Sequence, residues 1–130
     1  MNYGMGGLIS PHVDSPNWPD SEEFRSSEIN GYGGVRFITF MVYLSDVLSG
    51  GHTVFPQLGL SIKPVEGSAL FWFNIGPNMH YDSRVLHLGC PVLHGNKWIA
   101  NKWVKILPQF KKYPCHVRNN DYFSTIDQKS

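Results

Sequence analysis

A mainly β domain, built as an antiparallel sandwich or barrel, is predicted by three features of this 130-residue sequence. Short apolar runs rich in β-branched and aromatic residues recur along it, clusters of Gly, Pro, Asn and Asp punctuate them, and no segment sustains helical periodicity with caps at both ends. A chain of this length makes one domain around one core, so everything functional must share a single pocket or surface. No internal repeat breaks that expectation.

In chain order, the first informative element is His12-Val13-Asp14, read as extended chain, in which alternation places His12 and Asp14 on one face. Ser15 to Gly34 follows, a polar stretch of Ser, Pro, Glu, Asp and Gly that can bury little and is expected to be a long loop or partly formed helix, placed where a lid would be. Arg36-Phe-Ile-Thr-Phe-Met-Val-Tyr-Leu44 is apolar on both faces and predicts a central strand. Shorter strands are predicted at His52 to Phe55, Ser68 to Phe73, Arg84 to Leu88 and Lys97 to Leu107. From Lys111 to Ser130 the chain is polar and aperiodic, and a disordered tail is expected. The organisation is therefore a core over 1–107 and a C-terminal segment over 108–130.

Charge excludes several function classes. Eleven Lys+Arg against ten Asp+Glu leave no basic footprint for nucleic acid or an anionic membrane. Charge, Gly or Asn interrupts every apolar stretch well before the roughly 18 residues of a membrane span. The N-terminus, MNYGMGGLISPHVD, lacks the basic start and long apolar run of a secretory signal, and the chain does not end in a KDEL-like sequence. Cys90 and Cys115 either pair or remain two separately buried thiols. Pairing closes a loop of about 25 residues, adds roughly 3.5 kcal/mol on the chain-entropy model, and persists only in an oxidising compartment.

Alone, His-x-Asp is a short motif that chance supplies in many surfaces and turns. It gains meaning from a second histidine, because two imidazoles and one carboxylate on one face of Fe(II) leave three adjacent positions for a bidentate oxoacid and O2. The candidates are His52, His80, His87, His94 and His116. His87 lies in an expected strand, far along the chain from Asp14, the layout of a triad assembled from the two ends of a jelly roll. The others read as loop or turn histidines that are solvated or locally hydrogen-bonded. A further constraint comes from Gly95-Asn-Lys-Trp-Ile-Ala-Asn-Lys-Trp103: as a strand, Lys97, Ile99, Asn101 and Trp103 share one face, and Trp98, Ala100 and Lys102 the other. One lysine must then point inward, where a cation is costly unless it meets an anion such as the distal carboxylate of 2-oxoglutarate. The alternative is that both lysines reach solvent past the tryptophans.

Five ordered blocks carry a family resemblance: Tyr3-Gly-Met-Gly-Gly7 leading into Pro11-His-Val-Asp14; Tyr43-Leu-Ser-Asp-Val47 followed by Gly50-Gly-His-Thr-Val-Phe-Pro56; Gly67-Ser-Ala-Leu-Phe-Trp-Phe-Asn74; His87-Leu-Gly-Cys-Pro-Val92; and Gly95-Asn-Lys-Trp98 with Asn101-Lys-Trp103. Together they resemble the catalytic domain of animal prolyl 4-hydroxylase α subunits, within the Fe(II)/2-oxoglutarate dioxygenases. The resemblance implies a double-stranded β-helix, the jelly-roll or cupin-like fold, here without the strands and helices that precede the metal motif in the family. It implies Fe(II) on His12, Asp14 and His87, 2-oxoglutarate anchored by Lys97 in a pocket lined by Tyr3, Thr53 and Trp103, and Arg36 near a peptide substrate. It also implies a Cys90–Cys115 disulfide that ties back the C-terminal segment, location in the endoplasmic reticulum lumen, protein disulfide isomerase as a second subunit, and L-ascorbate to rescue oxidised iron.

The activity so implied is that of a procollagen-proline 4-dioxygenase acting on proline-containing, collagen-like peptides and releasing succinate and CO2. Two departures from the family pattern bear on it. Ile9 stands three residues before His12, where the family commonly has Tyr, and the peptide-binding and assembly domains of the family are missing. Rival readings are an inactive jelly-roll binding module, a dioxygenase with a non-collagen substrate, and a structural zinc site, the last disfavoured because neither cysteine sits at ligand spacing.

Overall fold

The structure, a computed structural model, describes residues 1–15, 36–77 and 80–105. Ten strands run through these residues: β1 (Asn2–Tyr3), β2 (Ile9–His12), β3 (Arg36–Tyr43), β4 (Ser49–Gly50), β5 (Thr53–Phe55), β6 (Leu60–Ile62), β7 (Ala69–Phe73), β8 (His87–Gly89), β9 (Val92–His94) and β10 (Lys97–Lys105). One four-stranded sheet has the order β1-β10-β3-β7, a second β2-β8-β5-β6, and β4 and β9 form a two-stranded ladder. All these pairings are antiparallel. This is the jelly roll expected from the sequence.

β3 is central, between β10 and β7, as its apolar run predicts. Alternation along it buries Phe37, Thr39, Met41 and Tyr43. Met41 and Tyr43 pack with Phe55, Trp72, Val85 and Ile99 into one core between the two large sheets, and Tyr3, Ile62 and Leu70 extend it. The opposite face of the β10-β3-β7 sheet is less covered: Phe40, paired with Phe71 and Lys102 across the ladder, is exposed, as are Phe71 and Trp98.

Two expected boundaries need correction. Arg84 to Leu88 is not one strand: Ser83–Val85 is a 3-10 turn, and β8 begins only at His87. The Asp82 carboxylate accepts from the Arg84 backbone N–H at 3.0 Å and from the Arg84 guanidinium at 2.6 Å, so a local cap outcompetes the extended preference of the sequence. Nor does β2 run through the metal motif. It ends at His12, and Asp14 lies in a bend. The strand beginning at Lys97 is found to Lys105, and the rest of its expected span lies outside the described residues, as do the stretch 16–35, Cys115, His116 and the expected tail.

Gly50 joins the β4–β9 ladder to the turn before β5. Its φ is +77°, and an added Cβ would run into the Pro91 carbonyl and lie 2.8 Å from the Leu93 amide nitrogen. Both the left-handed backbone and the close approach require glycine. Gly50→Ala is expected to destabilise the domain by about 2 kcal/mol, read as a lower urea midpoint at unchanged slope, and an unchanged midpoint would show that the ladder is not tightly packed there.

Candidate active site

β2 and β8 are neighbours in register, with His12 opposite His87. Their rings lie 4.3 Å apart between centroids. Both imidazoles are oriented from behind: His12 Nδ1 bonds to the Ser10 carbonyl at 2.8 Å and His87 Nδ1 to the Val85 carbonyl at 2.9 Å. A carbonyl only accepts, so each Nδ1 carries the proton and each Nε2 presents a lone pair. These Nε2 atoms lie 3.6 Å and 4.0 Å from Asp14 Oδ1. His87 is also held in place by aromatic rings, stacked on Phe55 at 5.3 Å and edge-on to Trp72 at 4.9 Å.

Since β2 has ended, Asp14 needs other fastenings. Thr39 Oγ1 donates to its Oδ2 at 2.6 Å, and Arg36 Nη1 donates to its backbone carbonyl at 3.1 Å. Burial by itself would raise the Asp14 carboxyl, but the His12 contact, the Thr39 hydroxyl and nearby His87 together hold it below the ordinary value. The same contact with Asp14 raises His12 against the opposing effect of burial. His87, more deeply buried, is lowered chiefly by desolvation and stays neutral more readily. His12, Asp14 and His87 form the only group of three potential metal-ligating side chains among the described residues, with ligand atoms all within 4.8 Å of one another. Two imidazole nitrogens and one carboxylate oxygen, without a thiolate, suit Fe(II) and do not suit a closed structural zinc site.

The expected site residues meet at one cavity of about 250 Å³. His12, Asp14, His87, Lys97, Tyr3, Thr53, Trp103 and Arg36 all line it. Lys97 faces inward and is 4% exposed, while Lys102 on the other face of β10 is exposed. Its Nζ donates to Thr53 Oγ1 at 3.2 Å, and among the described residues no carboxylate pairs with it. Burial pushes the ammonium down to about 8, weakly opposed by Cys90. The Arg36 guanidinium lies over the Trp103 ring at 4.0 Å. Of the other histidines, His80 and His94 are exposed and His52 is half-buried, and none joins the group.

Some cavity positions were not singled out from the sequence. Tyr43 donates to Thr53 Oγ1 at 2.8 Å, and Met41 and Asn101 line the cavity, as does Ile9, which the family resemblance had marked. Asn101 Oδ1 is buried without a hydrogen-bond partner. Ile9 stands opposite Gly89, where an added Cβ would come within 2.8 Å of Ile9 Cγ2 and 3.8 Å of Lys97 Nζ. The strand face shared by Lys97 and Asn101 was the one available signal for Asn101; Tyr43 and Met41 read only as core.

A buried ammonium with no carboxylate partner among the described residues gives a pH dependence. Its folded-state pKa lies below the ordinary 10.5, so between about 8 and 10.5 the unfolded chain binds more protons and stability rises with pH. Lys97→Met is therefore expected to raise the melting temperature of the ligand-free domain at pH 7 by several degrees, with the gap to wild type closing towards pH 10. Paired thermal melts across that range check it, and a gap of the opposite sign would mean that Lys97 already has a counter-charge.

The sequence and the fold have counterparts among known proteins. A family model described as the 2OG-Fe(II) oxygenase superfamily matches residues 1–105. Human prolyl 4-hydroxylase subunit alpha-3 is 44% identical over 121 residues, covering 93% of this chain and 21% of that protein. The subunit alpha-1 of Gallus gallus is 41% identical over 114 residues, covering 88% and 21%. The chain thus spans about a fifth of the length of the curated relatives it matches. Among solved structures, the viral collagen prolyl hydroxylase of Paramecium bursaria Chlorella virus-1, in complex with 2OG, superposes with a TM-score of 0.67 at 32% identity, covering 78% of this chain and 54% of that one. With a family match over the whole described jelly roll, this chain belongs to the 2OG-Fe(II) oxygenase superfamily.

Proposed function

We propose that this chain is the catalytic core of a prolyl 4-hydroxylase, converting peptidyl proline and O2 to hydroxyproline while 2-oxoglutarate becomes succinate and CO2. The observation that carries the reading is the convergence on one cavity of the His12, Asp14 and His87 donor set and the buried Lys97, with which no carboxylate among the described residues pairs. Support for the substrate class comes from relatives named prolyl 4-hydroxylase and collagen prolyl hydroxylase.

His12 Nε2, His87 Nε2 and Asp14 Oδ1 would hold Fe(II), which when bound supplies the O2 chemistry for decarboxylation and carbon hydroxylation. Lys97 takes the distal carboxylate of 2-oxoglutarate. Thr53 assists it: its oxygen already accepts from Tyr43 and Lys97, so its own proton remains to be donated to that carboxylate. Tyr3 and Trp103 wall the cosubstrate, and Arg36 faces the peptide. Burial of Asp14, His87, Thr53 and Lys97 keeps competing water from these contacts and strengthens each of them.

A collagen-like, proline-containing peptide is the proposed substrate and L-ascorbate the proposed reductant that restores oxidised iron. The enzyme is proposed to act in the endoplasmic reticulum lumen beside a protein disulfide isomerase subunit, with Cys90 bonded to Cys115, which lies outside the described residues; the presence of two cysteines and the family resemblance of the sequence motifs are the support.

Succinate formation from 2-oxoglutarate, with Fe(II) and ascorbate, tests the reading. Peptide-dependent succinate is expected from the wild-type chain and only background from His87→Ala. A folded wild-type chain that binds Fe(II) and 2-oxoglutarate but never responds to peptide would sink the prolyl hydroxylase assignment and leave a binding module or an oxygenase of another substrate. Lys97→Ala should raise the KM for 2-oxoglutarate roughly 100-fold, about 3 kcal/mol, the loss typical of one partner of a buried charge pair. A KM within threefold of wild type would place the distal carboxylate elsewhere.

A further inference from the structure

Behind Asp14 runs a line of buried polar side chains, the far end of which, Trp72, also lines the cavity. Trp72 Nε1 donates to Asn74 Oδ1 at 2.9 Å, Asn74 Nδ2 donates to Thr39 Oγ1 at 2.9 Å, and Thr39 Oγ1 reaches Asp14 Oδ2 at 2.6 Å. Thr39 and Asn74 are fully buried, and Trp72 and Asp14 are each 7% exposed. The line crosses the middle of the β3–β7 ladder, where Thr39 and Trp72 are register partners. Asn74 is pinned on both sides of its backbone, its N–H donating to the Phe37 carbonyl at 2.8 Å and its carbonyl accepting from Asp82 at 3.0 Å.

The direction of this line is set by chemistry. An indole N–H can only donate, so the end of Asn74 that meets Trp72 must be the oxygen, and the amino end must face Thr39. Thr39 then accepts from Asn74, and its single proton is left for Asp14. A separation of 2.6 Å is that of a hydroxyl donating to a charged carboxylate. The consequence falls on the two oxygens of Asp14. Oδ2 is occupied by Thr39 on the side away from the histidines, whereas Oδ1 is the oxygen nearest His12 Nε2 and His87 Nε2.

We propose that Trp72, Asn74 and Thr39 form a one-way hydrogen-bond relay that positions Asp14 as a charged ligand offering the metal one oxygen, Oδ1, and withholding the other. The inference rests on the metal-centre reading above, and not on the identity of the peptide. A carboxylate free to rotate would chelate through both oxygens and occupy a position that the oxoacid or O2 needs. Thr39, Asn74 and Trp72 act through Asp14 and are positioning residues.

Co(II), an optically visible stand-in for Fe(II), provides a test that needs no turnover. Thr39→Val keeps the shape of the side chain and removes the hydroxyl, Thr39→Ser keeps the hydroxyl, and Asn74→Asp keeps the volume but reverses the relay, since a carboxylate would accept the Thr39 proton in place of Asp14. With folding checked by circular dichroism, Thr39→Val and Asn74→Asp are expected to weaken Co(II) binding 10- to 100-fold, on the order of other losses of groups behind a ligand. Both should also change the Co(II) ligand-field absorption spectrum, and Thr39→Ser should restore wild-type affinity and spectrum. If Thr39→Val does not fold, Asn74→Asp decides between the outcomes. Wild-type affinity and spectrum in a folded Thr39→Val or Asn74→Asp overturn the relay alone. A wild-type chain that binds no Co(II) overturns the metal centre and the relay together, and a chain that passes the Co(II) tests but makes no peptide-dependent succinate leaves the relay standing and removes only the prolyl hydroxylase reading.

Discussion

Two opposite charges face the same cavity without meeting each other: the Asp14 carboxylate, fastened among Thr39, His12 and His87, and the Lys97 ammonium, which lies by the Thr53 hydroxyl and the Tyr3 and Tyr43 rings and meets no carboxylate among the described residues. Neither charge is stable in a small apolar core without compensation from its surroundings. Had they been adjacent they would have formed an internal ion pair and left nothing to bind. Held apart, each calls for a partner from outside, a cation at the carboxylate and an anion at the ammonium. A metal ion chelated by a dicarboxylate satisfies both at once, which is why the same cavity can serve as a binding site and why binding should stabilise it.

The separation of the charges is produced by the two sheets. β2, β8 and β5 supply His12, His87 and Thr53, whereas β10 and β1 supply Lys97 and Tyr3 from the facing sheet. Asp14 belongs to the first sheet by sequence and is tied to the second through Thr39 and Arg36 of β3. The metal position and the anion anchor are thus fixed relative to each other by sheet packing and not by loops. Trp72 contributes on both sides of this arrangement, since its ring edge bounds His87 while its N–H faces Asn74. Core packing and ligand orientation are in this region the same set of contacts, so substitutions in the β3–β7 ladder will register in the metal site before they register as gross unfolding.

How much of this could be read from the sequence follows from the range over which each signal acts. β3 was legible because its long run is apolar on both faces, and β10 because the Lys97, Ile99, Asn101, Trp103 face left one lysine inside. Of the strands of two to four residues, β5 and part of β8 fell within expected apolar runs, whereas β1, β4, β6 and β9 are too short to show a period, and the Pro11 in β2 argues against a strand at all. His12 and Asp14 were correctly brought together but for an incomplete reason: the chain bends between them, and it is a contact with Thr39, 25 residues away, that aims the carboxylate. That contact, like the Asn74 and Trp72 pairs, joins residues whose proximity depends on register, and nothing local marks Thr39 as different from any other threonine in a strand.

Ile9 shows how such register effects reach the chemistry. The family resemblance sets a tyrosine at this place, and the structure fills it with a branched apolar chain that packs onto the bare backbone of Gly89. Gly89 is at the same time the register partner of Thr53 on its other side, so the strand between metal ligand and anion anchor has no side chain at a position where a methyl group would clash with Ile9 and reach contact with Lys97. The cavity wall here is therefore apolar and close, without a hydroxyl to donate towards the metal or the substrate. Ile9 leaves the donor set and the anion anchor untouched, because neither His12, Asp14 and His87 nor Lys97 and Thr53 takes a hydrogen bond from that place. Its effect falls on the space beside the donor set and the anion anchor, which Ile9 lines, and not on the hydrogen bonds that hold those groups in place.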